Sequence, residues 1–257
     1  MTVPVYVVSL LRDDERRNRI KNIFSDLNID FVFFDAVDAK DPRNKSIIES
    51  MRVAGESADM TDGEIACTLS HQFIYKDIVD KSYEWAVILE DDVIVDSRFA
   101  KFLSSFNENE YDKLNNNNLY LLGGQKGLHD YPVLGLSHFS KINVSTCTFK
   151  RVTFNRGKIR RTCSYLMNKD MARNLLKLTQ SYGTYRADSW FLMDEKNIIN
   201  DFYLDEIIEH PILNGTNSHL ESERALVAEK KRPRSYIQKK MKVTRSWIKV
   251  FFFSFFK

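Results

Sequence analysis

Several large protein classes are excluded by what the chain lacks. Cysteine is scarce: Cys67, Cys147 and Cys163 are the only three in 257 residues, and none falls in a C-x-x-C pair or beside a histidine ligand pattern. A disulfide framework and a structural zinc are therefore both disfavoured. Neither G-x-G-x-x-G nor G-x-x-x-x-G-K occurs, which argues against Rossmann dinucleotide binding and P-loop hydrolysis. The opening Met1-Thr2-Val3-Pro4 shows no positive segment followed by a long apolar stretch. No signal peptide is read from it, and the cytoplasm is the default expectation. There is no internal repeat and no low-complexity tract beyond Asn115–Asn118, which reads as a surface turn.

Acid is missing from one place. Residues 230–257 hold ten Lys or Arg and no Asp or Glu, so the chain's net charge of +3 becomes −7 once these are set aside. An acidic body argues against nucleic acid as the partner. Between its charges the basic segment carries Tyr236, Ile237, Met241, Val243, Trp247 and Ile248, and it ends in Val250-Phe251-Phe252-Phe253-Ser254-Phe255-Phe256-Lys257. Those last residues fall far short of the about 20 that a membrane-spanning helix needs. A basic amphipathic helix lying on an anionic membrane is expected instead, at about 1 kcal/mol per Lys or Arg near the surface. Packing of the aromatics on the folded domain is the alternative. The reading is thus one domain over 1–228 and a membrane-associating tail over 229–257.

What is present is an alternation of buried strands and amphipathic helices. Val3–Leu10 is a near-continuous apolar run that suits a central strand, and Ile20, Ile23, Phe24 and Leu27 put an apolar stripe on a helix of 13–27 that begins among Asp13, Asp14 and Glu15. Phe31–Phe34 reads as a second buried strand, and residues 39–60 are polar and weakly patterned. Thr61 and Glu64 form a capping-box pattern opening a helix of 62–80. Strands follow at Trp85–Leu89, Leu119–Leu122 and Ser164–Met167, with Asn168 placed to cap a helix carrying Met171, Ala172, Leu175 and Leu176. This predicts an α/β fold, a mostly parallel central sheet with helices on both faces. Ligands in such sheets bind at the carboxyl ends of the strands, a rim holding Ser9, Asp35, Glu90-Asp91-Asp92 and Gly123-Gly124.

Three consecutive carboxylates at a strand end repel one another unless a cation compensates. Mg²⁺ or Mn²⁺ would do so and would bridge a nucleoside-diphosphate leaving group. The plain alternative is a solvated turn that ends the strand. Arg16 and Arg17 open the first helix near this rim, where guanidinium and helix N-terminus both favour diphosphate oxygens, although one of them would equally serve as a solvated surface residue. Glu64, Thr68 and His71 share one helical face, where a lone histidine is more often structural than ligand-facing. The basic stretch Lys150-Arg151, Arg156, Lys158, Arg160 and Arg161 is either solvated or a mobile loop that closes over the site.

The order of short motifs resembles glycosyltransferase family 25, whose bacterial members build lipooligosaccharide. These motifs are Ser9-Leu10 with Arg16-Arg17, Phe34-Asp35-Ala36-Val37-Asp38, Gly63-Glu64-Ile65-Ala66-Cys67 with Leu69-Ser70-His71, and Leu89-Glu90-Asp91-Asp92. The resemblance continues through Arg161-Thr162, Ser164-Tyr165-Leu166, Ala172–Leu176, Asp188-Ser189-Trp190, His210-Pro211 and Ser218, covering roughly residues 3–222. It implies a GT-A fold, a UDP-sugar donor, usually UDP-galactose, and transfer with inversion to a lipooligosaccharide or lipid-linked sugar acceptor. A β-galactosyltransferase on the inner face of the bacterial inner membrane is the favoured form.

The resemblance further implies Asp92 and then Glu90 as metal ligands and Asp91 meeting ribose or the donor sugar, with His210 either completing the metal shell or standing as an ordinary loop residue before Pro211. Ser9, Arg16, Asp35, Ala36, Glu64, His71 and Gly123 would line the donor site. Asp188 is the expected general base, with Trp190 beside it as a surface for a sugar ring; the competing reading is an ordinary helix-capping aspartate. For the whole chain, a metal-dependent nucleotidyltransferase or phosphoesterase and a non-catalytic membrane-surface module are the alternatives.

Overall fold

The structure, a computed structural model, describes residues 3–128, 133–211 and 236–255. Ser218, the 228/229 boundary and the first residues of the tail lie outside them. Strand β1 (Val5–Ser9) leads to α1 (Asp14–Asp26), β2 (Val32–Asp35), α2 (Lys45–Ser50), α3 (Asp62–Asp80), β3 (Trp85–Glu90), α4 (Ser97–Ser105), α5 (Glu108–Tyr111) and β4 (Asn118–Gly123). After these come β5 (Gly135–Val144), β6 (Cys147–Phe154), β7 (Ser164–Asn168), α6 (Lys169–Tyr182), α7 (Trp190–Glu195), β8 (Asp201–Ile208) and α8 (Tyr236–Phe253).

The eight strands of the described residues form one sheet in the order β2-β1-β3-β7-β4-β8-β6-β5. β1 pairs in parallel with β2 and β3, and β4 with β8. β7 runs antiparallel between β3 and β4, and β6 runs antiparallel between β8 and β5. Strands β2, β1, β3, β4 and β8 therefore all point one way, giving the mostly parallel centre expected.

Alternation within the strands divides the core in two. Val5, Val7, Val87, Leu89 and Leu166 turn to one face and bury against Ile20 and Phe24 of α1 and Phe99 and Phe102 of α4. Tyr6, Val8, Ile88, Tyr165 and Met167 turn to the other, against Ile74, Tyr75 and Ile78 of α3 and Met171, Ala172 and Leu175 of α6. Each fully buried aliphatic side chain contributes about 1.5–3 kcal/mol. The helix starts follow the sequence. Asp13 caps α1, Thr61 and Glu64 close the capping box on α3, and Asn168 accepts from the backbone N–H groups of Asp170 and Met171.

Three expectations are corrected. β2 is not buried but forms the sheet edge, with Val32 58% exposed, because no strand among the described residues pairs on its outer side. Residues 39–60 contain α2 and two short 3₁₀ turns. The basic stretch of 150–161 is no mobile loop: Lys150 and Arg151 lie in β6, paired with β8, and Arg151 and Arg156 are held by Asp201 and Asp194.

The end of the tail docks on the β5–β6 hairpin. Phe253 stacks on Phe154 with ring centroids 4.4 Å apart, Thr153 Oγ1 donates to the Phe253 carbonyl at 2.8 Å, and His138 N–H donates to the Ser254 carbonyl at 2.9 Å. Trp247, Ile248, Phe251 and Phe252 nevertheless remain more than half exposed. No described helix is long and apolar enough to cross a membrane.

Candidate active site

β1, β2 and β3 are neighbours running in one direction, so their polar ends Ser9, Asp35 and Glu90-Asp91-Asp92 meet at one rim. A cleft of about 530 Å³ opens there, between these strand ends and the start of α3. Ser9, Arg16, Ala36, His71, Glu90, Asp91 and Asp92 all line it.

Asp91 is buried and anchored. Its Oδ2 accepts from Ser9 Oγ at 2.7 Å and its Oδ1 from Arg16 Nη1 at 2.8 Å. Burial raises its pKa, and Ser9 and Arg16 offset only part of the shift. Arg19 fixes the turn behind it, donating to the carbonyls of Asp91 at 2.7 Å and Val93 at 3.0 Å.

Asp92 and His210 come together because Ile94 and Glu209 exchange both backbone hydrogen bonds, at 2.8 and 3.0 Å. His210 Nε2 stands 3.4 Å from Asp92 Oδ1, in a geometry short of a hydrogen bond, and Oδ1 is buried without a donor among the described residues. Burial opposes the charge on each, but their mutual attraction prevails: His210 is held above its ordinary pKa and Asp92 below. Glu90 is pushed up to about 7, first by burial and then by Asp92, although Thr162 donates its hydroxyl to Oε1. Ligand atoms of Glu90, Asp92 and His210 all lie within 4.8 Å of one another. Two carboxylates, one with an orphaned oxygen, and an imidazole form a donor set that fits a divalent cation such as Mn²⁺. Such a cation would relieve the repulsion between the carboxylates.

A family profile described as "Glycosyltransferase family 25 (LPS biosynthesis protein)" matches residues 2–191. The chain belongs to glycosyltransferase family 25. The lipooligosaccharide biosynthesis protein lic2B of Haemophilus influenzae is 35% identical over 99 residues, 38% of this chain and 37% of that protein. The lacto-N-neotetraose biosynthesis glycosyltransferase LgtE of Neisseria meningitidis is 30% identical over 110 residues, 42% of this chain and 39% of that one. Procollagen galactosyltransferase 1-B of Xenopus laevis is 30% identical over 209 residues, 77% of this chain and 32% of that protein. This chain thus spans well under half the length of the relatives it matches.

The remaining expected residues of this family 25 chain stand away from the cleft wall. Glu64 is buried beneath it, with Oε2 taken by Thr61 N–H at 2.9 Å and Oε1 by Arg186 Nε at 3.1 Å. Asp35 is exposed and holds Arg17 at 2.8 Å, so of that pair only Arg16 lines the cleft, together with Arg12. Gly123 faces the protein, not a ligand: at φ +129° a Cβ would meet the Ile208 carbonyl oxygen at 2.1 Å. Asp188 lies just before α7 and accepts Arg161 N–H through Oδ2 at 3.0 Å, next to the Thr162 that reaches Glu90. Trp190 cannot offer its face to a sugar, because it is fully buried, edge-on to Tyr165, with Nε1 donating to the Arg161 carbonyl at 3.1 Å. One pairing was missed in the sequence: Cys67 and His71 are spaced i, i+4 on α3, so a cysteine does stand beside a histidine in ligand register.

Proposed function

We propose that the chain is a cation-dependent hexosyltransferase that moves a sugar, galactose in the favoured case, from a UDP-sugar to a lipooligosaccharide acceptor with inversion. The observation that carries this reading is the Glu90–Asp92–His210 group at the carboxyl end of β3, opening on a cleft of about 530 Å³. The names of the bacterial and Xenopus relatives support the acceptor class and the sugar respectively.

A divalent cation, Mn²⁺ or Mg²⁺, supplies charge neutralisation at a diphosphate leaving group. Glu90, Asp92 and His210 are the residues that hold it. Arg16, oriented by Asp91 and Asp13, adds a guanidinium on the same side of the cleft. Ser9, fixed by Asp91, and the Ala36–Val37 backbone form the wall that receives the nucleoside.

An inverting transfer needs a carboxylate that is not a metal ligand to take the acceptor's proton. We assign that role to Asp188, which stands off the cleft wall but beside the Arg161–Thr162 segment that reaches Glu90; its Oδ2 is pinned by Arg161 N–H while Oδ1 has no partner among the described residues. The acceptor oxygen bonds to the anomeric carbon, the bond to the diphosphate oxygen breaks, the proton passes to Asp188 and UDP departs.

The tail is proposed to hold the enzyme on the anionic inner face of the bacterial inner membrane. The exposed Trp247, Ile248, Phe251 and Phe252 beside Lys242, Arg245 and Lys249 support this placement. A panel of UDP-sugars with Mn²⁺, read by released UDP and followed by linkage analysis of the product, tests the central reading. Release from one UDP-sugar is expected, and turnover of nucleoside triphosphates in its place would refute it.

A further inference from the structure

We propose that the cleft holds a second cation site, formed by Cys67, His71 and Glu90, that takes a thiophilic divalent ion, Zn²⁺. The i, i+4 spacing of Cys67 and His71 puts both on the face of α3 that lines the cleft, and Glu90 meets them from the end of β3. Cys67 Sγ, a ring nitrogen of His71 and a carboxylate oxygen of Glu90 all lie within 4.8 Å of one another.

The second observation is the state of His71. Its side chain is 1% exposed and its Nε2 is buried with no hydrogen-bond partner among the described residues. A buried nitrogen without a partner is costly, and coordination satisfies it. Its Nδ1 is bonded to the Tyr165 hydroxyl at 2.7 Å, and that hydroxyl lies 3.1 Å from the hydroxyl of Tyr75. Such an outer bond fixes the ring and leaves Nε2 to coordinate. Nε2 is already 3.9 Å from Glu90 Oε1, close to the roughly 3.5 Å between ligand atoms that zinc bonds of about 2.0–2.3 Å impose.

Ligand chemistry separates the two groups. Thiolate with imidazole selects Zn²⁺, whereas the carboxylate-rich Glu90–Asp92–His210 group suits Mn²⁺ or Mg²⁺. Three protein ligands leave a fourth position open to the cleft, unlike a closed structural zinc site. On binding, the Cys67 thiol gives its proton to solvent and the sulfur's lone pair to the ion. The site stands whatever reaction the cleft carries out.

Cobalt serves as the probe on the full chain. Co²⁺ is expected to give a near-ultraviolet thiolate-to-cobalt charge-transfer band that saturates at one ion per chain. One equivalent of Zn²⁺ abolishes it, Cys67→Ser loses it and Asp92→Asn keeps it. Absence of the band in the wild type, its survival in Cys67→Ser, or its loss in Asp92→Asn alone would overturn the proposal. Zinc-edge X-ray absorption on the wild-type chain needs no variant. One sulfur at about 2.3 Å is expected, and a shell of nitrogen and oxygen only would overturn the assignment.

Discussion

Asp92 carries two conflicting demands: one carboxylate oxygen is sealed from water, and the nearest cation, His210, stands 3.4 Å away without forming a hydrogen bond. Glu90 beside it is pushed up to about 7 by burial and by Asp92, and His210 is held above its ordinary value. Cation binding needs Glu90 ionised and His210 neutral, so both shifts place protons where a metal must go. Mn²⁺ affinity is therefore expected to fall as pH drops below about 7 and to level off above it, measured by titration across a pH series. A flat profile would remove Glu90 and His210 from the site. Asp188→Asn should lower kcat by about 10²- to 10⁴-fold with the KM for the donor little changed. An equal loss of donor binding would make Asp188 a structural residue. The carboxylates were legible in the sequence because a buried strand that stops at three acids is unusual. The residues that orient them, Thr162 and Arg19, were not, since each reaches the cluster from more than 70 positions away in the chain.

The elements nearest the site were read well because their signals are local. α3 begins at its capping box, α6 at Asn168, and β1, β3 and β7 are apolar runs. The far end of the sheet, β8, β6 and β5, was not read. β8 carries Asp205 and Glu206 in its middle, and Lys150 and Arg151 make β6 look like a solvated charge run, although Cys147, Phe149 and Val152 are buried in strand fashion. Only the partner strand reveals that Arg151 answers Asp201. Gly124 shows what such pairing demands of one residue. At φ +70° its Cβ would meet Cys163 Sγ at 2.6 Å and His210 Cβ at 3.1 Å. Gly124→Ala is expected to cost about 1–3 kcal/mol of stability from backbone strain, seen in denaturant unfolding, and to weaken Mn²⁺ binding by displacing His210. Full stability with wild-type Mn²⁺ affinity would show that the close approach positions nothing.

Over the whole molecule, charge is divided between an acidic body and a basic tail whose last turn docks on β5–β6 while Trp247, Ile248, Phe251 and Phe252 stay more than half exposed. The docking is compatible with the proposed membrane contact, because Phe253 faces Phe154 while Trp247, Phe251 and Phe252 face outward. Deleting residues 233–257 should abolish sedimentation with anionic vesicles and leave transfer to a soluble acceptor intact. Continued sedimentation would place the membrane contact elsewhere. Glu90, Asp92 and His210 are proposed to hold the cation on which nucleotide binding depends. Calorimetric titration of UDP into the full chain, with and without Mn²⁺, in wild type and in Asp92→Asn, tests it most directly. Mn²⁺ should tighten UDP binding by about tenfold or more in the wild type and leave Asp92→Asn unaffected; equal tightening in both proteins would contradict the claim.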